Sequence, residues 1–136
     1  MNKILREDVD QIISDSISWE KLKDSVVLIT GASGMIGSYM LYVLTRLNDL
    51  YKYNIKIICM VRHVEKLTEE VRAREDVSVL QGDVTEPIRI DENVTYVIHA
   101  ASPASPLIMQ NKPVETIAAN TIGTFNTLML AKEKNS

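Results

Sequence analysis

Three observations predict an α/β fold: a parallel four-stranded sheet in the order 3-2-1-4, helices on both faces, and a helix in front. Four short apolar runs, at residues 26–29, 55–61, 77–80 and 94–98, have the composition of buried strands. Stretches of helical apolar period alternate with them in the pattern β-α-β-α-β-β-α, which argues for a parallel sheet with right-handed crossovers. Between the first strand and the first of these helices stand Gly31, Gly34 and Gly37, three of the chain's 5 glycines, in register with both flanking elements.

Taken in order, residues 1–24 form a helical arm and residues 25–136 the domain proper. Leu5, Val9, Ile12, Ile13 and Ile17 share one face of a helix over 3–17, and Trp19 anchors the connection behind it. The polar face of this helix is acidic, which argues against a membrane surface. After the first strand and the glycine turn, Ile36, Met40, Val43, Leu44 and Leu47 mark a helix, and residues 48–54 read as a loop. The second strand is followed by a helix carrying Val64, Leu67 and Val71, with Glu70 and Arg74 at pairing distance along it. Beyond strands three and four, Pro113 opens a long helix whose apolar positions are Ile117, Ala118, Ile122, Phe125 and Met129.

Composition sets limits. With 136 residues and 46% hydrophobic content the chain is one domain able to bury a core, and its net charge of −3 gives no footprint for nucleic acid. Two basic pairs, Arg72 with Arg74 and Lys132 with Lys134, are interleaved with glutamates and read as solvated helix faces. The single Cys59 lies in an apolar run, so it reads as a buried thiol and excludes a disulfide within the chain. Two histidines and one cysteine without ligand spacing argue against a metal site. No leader-like or membrane-length apolar run occurs, and a cytoplasmic location is expected.

The ends of the strands carry the candidate site. A glycine turn between strand and helix presents backbone N–H groups and a positive helix end to a pyrophosphate. Gly31 makes the tight turn, Gly34 admits the phosphate, Gly37 lets the helix pack closely, Ser33 donates a hydroxyl, and Met35 and Ile36 open the helix. Arg62 follows the second strand, where a carboxylate would hold the ribose hydroxyls of NAD and a cation suits the 2′-phosphate of NADP. Asp83 is placed to accept from an adenine amino group, and Val84 to offer its N–H and apolar contact. Ala100, Ala101 and Ser102 are small enough for a cofactor to lie against the backbone after strand four, and His99 reads as a packed residue. No Gly-Lys-Ser/Thr follows the turn, which excludes a P-loop, and Thr30-Gly31 does not match the acidic loop of Rossmann-like methyltransferases.

Together, Thr30-Gly-Ala-Ser-Gly-Met-Ile-Gly37, Gly82-Asp-Val84, His99-Ala-Ala-Ser102 and Asn120-Thr-Ile-Gly-Thr124 resemble the extended short-chain dehydrogenase/reductases, the NAD-dependent epimerase/dehydratases. The stretch Ala101-Ser-Pro-Ala-Ser-Pro106 and the run from Asn120 to Asn126 look most like UDP-glucuronate decarboxylases and dTDP-glucose 4,6-dehydratases. The resemblance spans about residues 25–134. It implies a Rossmann-type domain of an enzyme that oxidises the C4 hydroxyl of a nucleotide sugar with tightly held NAD. It also implies that Asn120 supports the site and that the helix from Pro113 takes part in a homodimer. Arg62 departs from the acidic residue of many NAD-using relatives, so NADP stays open beside NAD, which the wider match favours.

The resemblance further implies a Tyr-x-x-x-Lys pair for proton transfer, and none of Tyr39, Tyr42, Tyr51, Tyr53 or Tyr96 precedes a lysine by four positions. No catalytic residue is therefore assigned, and the chain reads as the cofactor-binding, N-terminal part of a longer enzyme. The competing expectation is a stand-alone NAD(P)-binding sensor. Against it stands the bare sheet edge that strand four would present.

Overall fold

The computed structural model describes residues 3–103 and 105–136; Ala104, within the stretch that carries the resemblance, lies outside the described residues. Its sheet contains β1 (Val26–Thr30), β2 (Lys56–Val61), β3 (Val77–Gln81) and β4 (Tyr96–His99), in the predicted order β3-β2-β1-β4. All three pairings are parallel, with Ile29 opposite Cys59 on one side and Ile98 on the other. β4 pairs only with β1 among the described residues, so its far edge carries no strand.

Alternation along the central strands divides the core in two. Val27 and Ile29 of β1, with Ile57, Cys59 and Val61 of β2, face α1 (Lys3–Ser14) and α2 (Met35–Tyr51). Leu28, Ile58 and Met60 face the other way, toward Ile88, Ile90 and Val94 of the β3–β4 connection and Leu130 of α5 (Pro113–Lys134). The leading helix docks on α2: Val9 and Ile13 are buried, Arg46 grips Asp10 through two bonds of 2.7 and 3.0 Å, and Tyr39 donates to Asp8. Trp19 does anchor the connection, its Nε1 donating to Ile13 O at 3.1 Å. The helix stops at Ser14, and Ile17, assigned to its apolar face, is exposed.

Several other expectations need correction. Residues 48–51, read as loop, are the last turn of α2. Asn48 holds that turn by bonding both Ile55 N and O and by donating to Asp76, tertiary bonds that outweigh its poor helix propensity. The helix after β2 is broken into a 3₁₀ turn, Val64–Lys66, and a short α3, Glu69–Arg72, capped by the Thr68 hydroxyl accepting from Val71 N. Arg74 lies past α3, and its hydrogen bonds go to Asp76, Asp49 and Thr45 O, so it ties β3 to α2 instead of facing solvent. Lys134 likewise keeps only 14% of its side chain exposed. A short α4, Pro106–Asn111, precedes α5; its signal was Ser105-Pro106, a cap residue before proline at the first helical position.

In α2 the buried stripe runs Gly37, Leu41, Leu44, Asn48, one position beyond Ile36 and Met40, which are exposed. In α5 it runs Gly123, Thr127, Leu130, while Ile117, Ile122, Phe125 and Met129 point outward. Small residues allow this: a Cβ on Gly123 would come within 2.7 Å of Val84 Cγ2, so the helix approaches the sheet along its slimmest face. No helix among the described residues is long and apolar enough to cross a membrane.

Candidate functional site

The strands of a parallel sheet share one carboxyl end, and the turns leaving β1, β2, β3 and β4 surround a cleft of about 200 Å³ there. Gly31, Ser33, Gly34, Arg62, Asp83, Val84, Ala100, Ala101 and Ser102 all line it. Met35, Ile36, Gly37 and Asn120 do not. Asn120 sits on the exposed side of α5, where its amide donates to Thr116 O, while its neighbour Ala119 reaches the cleft.

The three glycines have separable roles. Gly31 has φ +68°, and a Cβ there would lie 2.6 Å from Ala100 O. A side chain on Gly37 would collide with Gly31 O, so this glycine packs the helix against the turn itself. Gly34 is different: a Cβ would meet only Gly31 O, at 3.2 Å, and its backbone is open to the cleft. Gly34 is also the residue that starts α2, with no side-chain cap and no acidic residue in the first turn. The first helical bond is Ser38 N to Gly34 O, which leaves the N–H groups of Met35, Ile36 and Gly37 ahead of it. Free donors at an uncapped, 17-residue helix fit an anionic group.

On the opposite wall Asp83 accepts from Thr85 N at 2.9 Å and from the Thr85 hydroxyl at 2.8 Å. The Thr85 N–H, with that hydroxyl and Arg62 adding to it, holds the Asp83 carboxyl below the usual carboxylate range. One oxygen, Oδ2, faces Arg62 at 3.9 Å. Arg62 is mostly exposed, and the rim beside it carries two cationic or titratable side chains the sequence reading passed over, His63 and Lys66. Both lie within five residues of the end of β2, the signal that could have found them. Met60, Val61, Gly82 and Pro103 complete the lining.

His99 is packed, as read: its Nδ1 lies 2.8 Å from the Thr30 hydroxyl and 3.2 Å from that of Thr127, and burial lowers its pKa. Cys59 is buried outside the cleft, its thiol pushed up to about 12 by desolvation.

Strand order, glycine turn and cleft together define a Rossmann-type domain. The chain belongs to the NAD dependent epimerase/dehydratase family, whose model matches residues 27–136. Among curated proteins it is 35% identical over 106 residues to UDP-glucuronic acid decarboxylase 3 of Arabidopsis thaliana, covering 78% of this chain and 30% of that one. The chain thus spans 23% to 30% of the length of such curated relatives. Among solved structures, Pen from Bacillus thuringiensis superposes with TM-score 0.65 at 26% identity, over 83% of this chain and 35% of that one. The Bordetella bronchiseptica enzyme WbmH, solved in complex with NAD+, shares the fold with TM-score 0.61 at 20% identity, over 82% of this chain and 36% of that one.

Proposed function

We propose that this chain is the cofactor-binding portion of a nucleotide-sugar epimerase, dehydratase or decarboxylase, and that its cleft holds the adenosine diphosphate half of NAD. One observation carries the reading: the open backbone of Gly34 at the uncapped start of α2 faces the same cleft as Asp83 and the turn at residues 100–102. The pyrophosphate would take the N–H groups after Gly34 and the Ser33 hydroxyl. Asp83 Oδ2 would receive the adenine amino group, and the small residues 100–102 would let the ribose beyond the pyrophosphate lie against β4. Bound there, NAD would supply a hydride acceptor for the sugar. The name of the Arabidopsis relative supports a UDP-sugar as substrate class. With no Tyr-x-x-x-Lys pair in the sequence, the chain assigns no acid–base group to that chemistry. The exposed apolar side of α5 fits pairing with a second copy, which light scattering of the purified chain reads directly.

Titration calorimetry with NAD+ and NADP+ tests the reading. Saturable binding of NAD+ is expected, weaker than in a full-length enzyme, because about 200 Å³ falls short of the ~300–1,000 Å³ of a complete ligand pocket. Gly34→Val should keep the fold and weaken NAD+ by more than about tenfold, since its side chain occupies the phosphate position. Normal binding by that variant, or no binding by wild type at millimolar cofactor, overturns the assignment.

A further inference from the structure

Thr30 and His99 are the last residues of β1 and β4 and stand opposite each other in the sheet. The chain leaves them in two turns, one through Gly31 and one through Ala100, which are two adjacent backbone walls of the cleft. The walls nearly touch: Ala100 N donates to Thr30 O at 3.1 Å, and Gly31 has no room for a Cβ against Ala100 O. Beneath them the imidazole of His99 contacts two hydroxyls through one nitrogen, Nδ1, at 2.8 Å to Thr30 and 3.2 Å to Thr127 of α5.

The bonds of Thr127 point to one tautomer. A threonine hydroxyl has one hydrogen to donate. That of Thr127 already goes to Gly123 O at 2.8 Å, so toward His99 this oxygen only accepts. A hydrogen bond between the two therefore needs the proton on Nδ1, and Thr30 Oγ1 lies close enough to share it. Burial keeps the ring neutral, leaving Nε2 as the bare nitrogen.

We propose that His99 is a positioning residue of the cleft: a neutral Nδ1–H imidazole whose single proton, shared between Thr30 and Thr127, ties β1, β4 and α5 together and fixes the spacing of the two turns. The consequence for binding rests on the dinucleotide reading above; the tie itself does not. Gly123 has a second part in it, since its carbonyl takes the Thr127 proton and its missing side chain lets α5 reach the sheet.

The test uses the whole chain with NAD+ as probe. His99→Leu keeps bulk and removes the donor, whereas His99→Asn returns an amide N–H near the position of Nδ1. The leucine variant should bind NAD+ about five- to tenfold more weakly, the scale of one hydrogen bond, and the asparagine variant should recover to within about twofold. A packing role alone would give the opposite order, and that order, or a leucine variant equal to wild type, overturns the proposal. If His99→Leu does not fold, Thr127→Val keeps the shape of the site and serves instead. It should weaken NAD+ and raise the Nε2–H population, because without the Thr127 acceptor nothing favours a proton on Nδ1 over donation from Thr30. Unchanged affinity together with an unchanged tautomer refutes the tie. Nitrogen-15 spectra of wild-type His99 should show Nδ1 protonated and Nε2 bare; the reverse overturns the proposal. If wild type binds no NAD+ at all, the dinucleotide reading falls, while the spectra still decide the tie.

Discussion

The two faces of the sheet are closed by different means. Against the α1–α2 face the contact is side-chain volume: Val9, Leu41 and Leu47 are all at or near zero exposure, and the Asp10–Arg46 pair braces one helix on the other. Against the other face α5 buries only Gly123, Thr127 and Leu130 along 22 residues, while Ile117, Phe125 and Leu128 remain over 60% exposed. What holds α5 is close backbone approach and polar bonds, those of Thr127 to His99 and of Asn126 to Val84 O and Glu86 O. The contrast separates rigidity from placement. One face supplies the bulk of the core, and the other sets where the walls of the cleft stand.

Substitutions can break this contrast, beginning with the largest effect. Leu47→Ala, on the volume-filled face, should cost about 2–5 kcal/mol in urea denaturation, the range for emptying a buried leucine site. A loss under 1 kcal/mol would mean that this face is as loosely filled as the other. Gly123→Ala should cost less: overpacking against Val84 costs about 1–3 kcal/mol, and alanine recovers about 1 kcal/mol of helix propensity, leaving a net loss near 1 kcal/mol. A stabilised variant would show that α5 does not depend on that close approach.

The third effect is smaller and depends on pH. Burial lowers the pKa of His99 below its ordinary value of 6.5, so the unfolded chain takes up this proton more readily than the folded one. Stability from this group is complete above about pH 6.5 and declines as the pH falls toward the folded pKa. Replacing His99 by asparagine should remove that part of the acid slope, measured as melting temperature against pH. Smallest of all, Phe125→Ser on the outer side of α5 should change the stability of a monomer by no more than about 0.5 kcal/mol. The same change should shift any self-association seen by light scattering. A large loss of monomer stability would place Phe125 in the core after all.

The sequence made the sheet legible because its strands are uninterrupted apolar runs, which admit few alternative pairings once the glycine turn marks the first crossover. That Gly31, Ser33, Gly34, Asp83 and Val84 line one cleft was legible for the same reason: each stands in a turn that leaves a strand, where a parallel sheet gathers its loops. The facing of α5 was not legible. Periodicity weighs size, whereas burial here went to a glycine that fits under a neighbour's methyl group and to a threonine bonded to His99 and Gly123 O. The last turn of α2 was hidden because Asn48 looks like a loop residue until its partners Ile55 and Asp76 are known. His63 and Lys66 were missed because the reading of the segment after β2 stopped at Arg62, although both follow the same strand end.

Trp19, the chain's 1 tryptophan, bridges the end of α1 and the entrance to the sheet through its bond to Ile13 O. That makes it a built-in optical reporter with a single origin. Detachment of α1 would wet the indole and shift its emission to longer wavelength before the sheet melts, whereas far-ultraviolet dichroism would follow the remaining helices and strands. Two superimposable denaturation curves would identify the leading helix and the sheet as one cooperative unit. An earlier fluorescence transition would give the free energy of docking this helix as a quantity of its own, with no label attached.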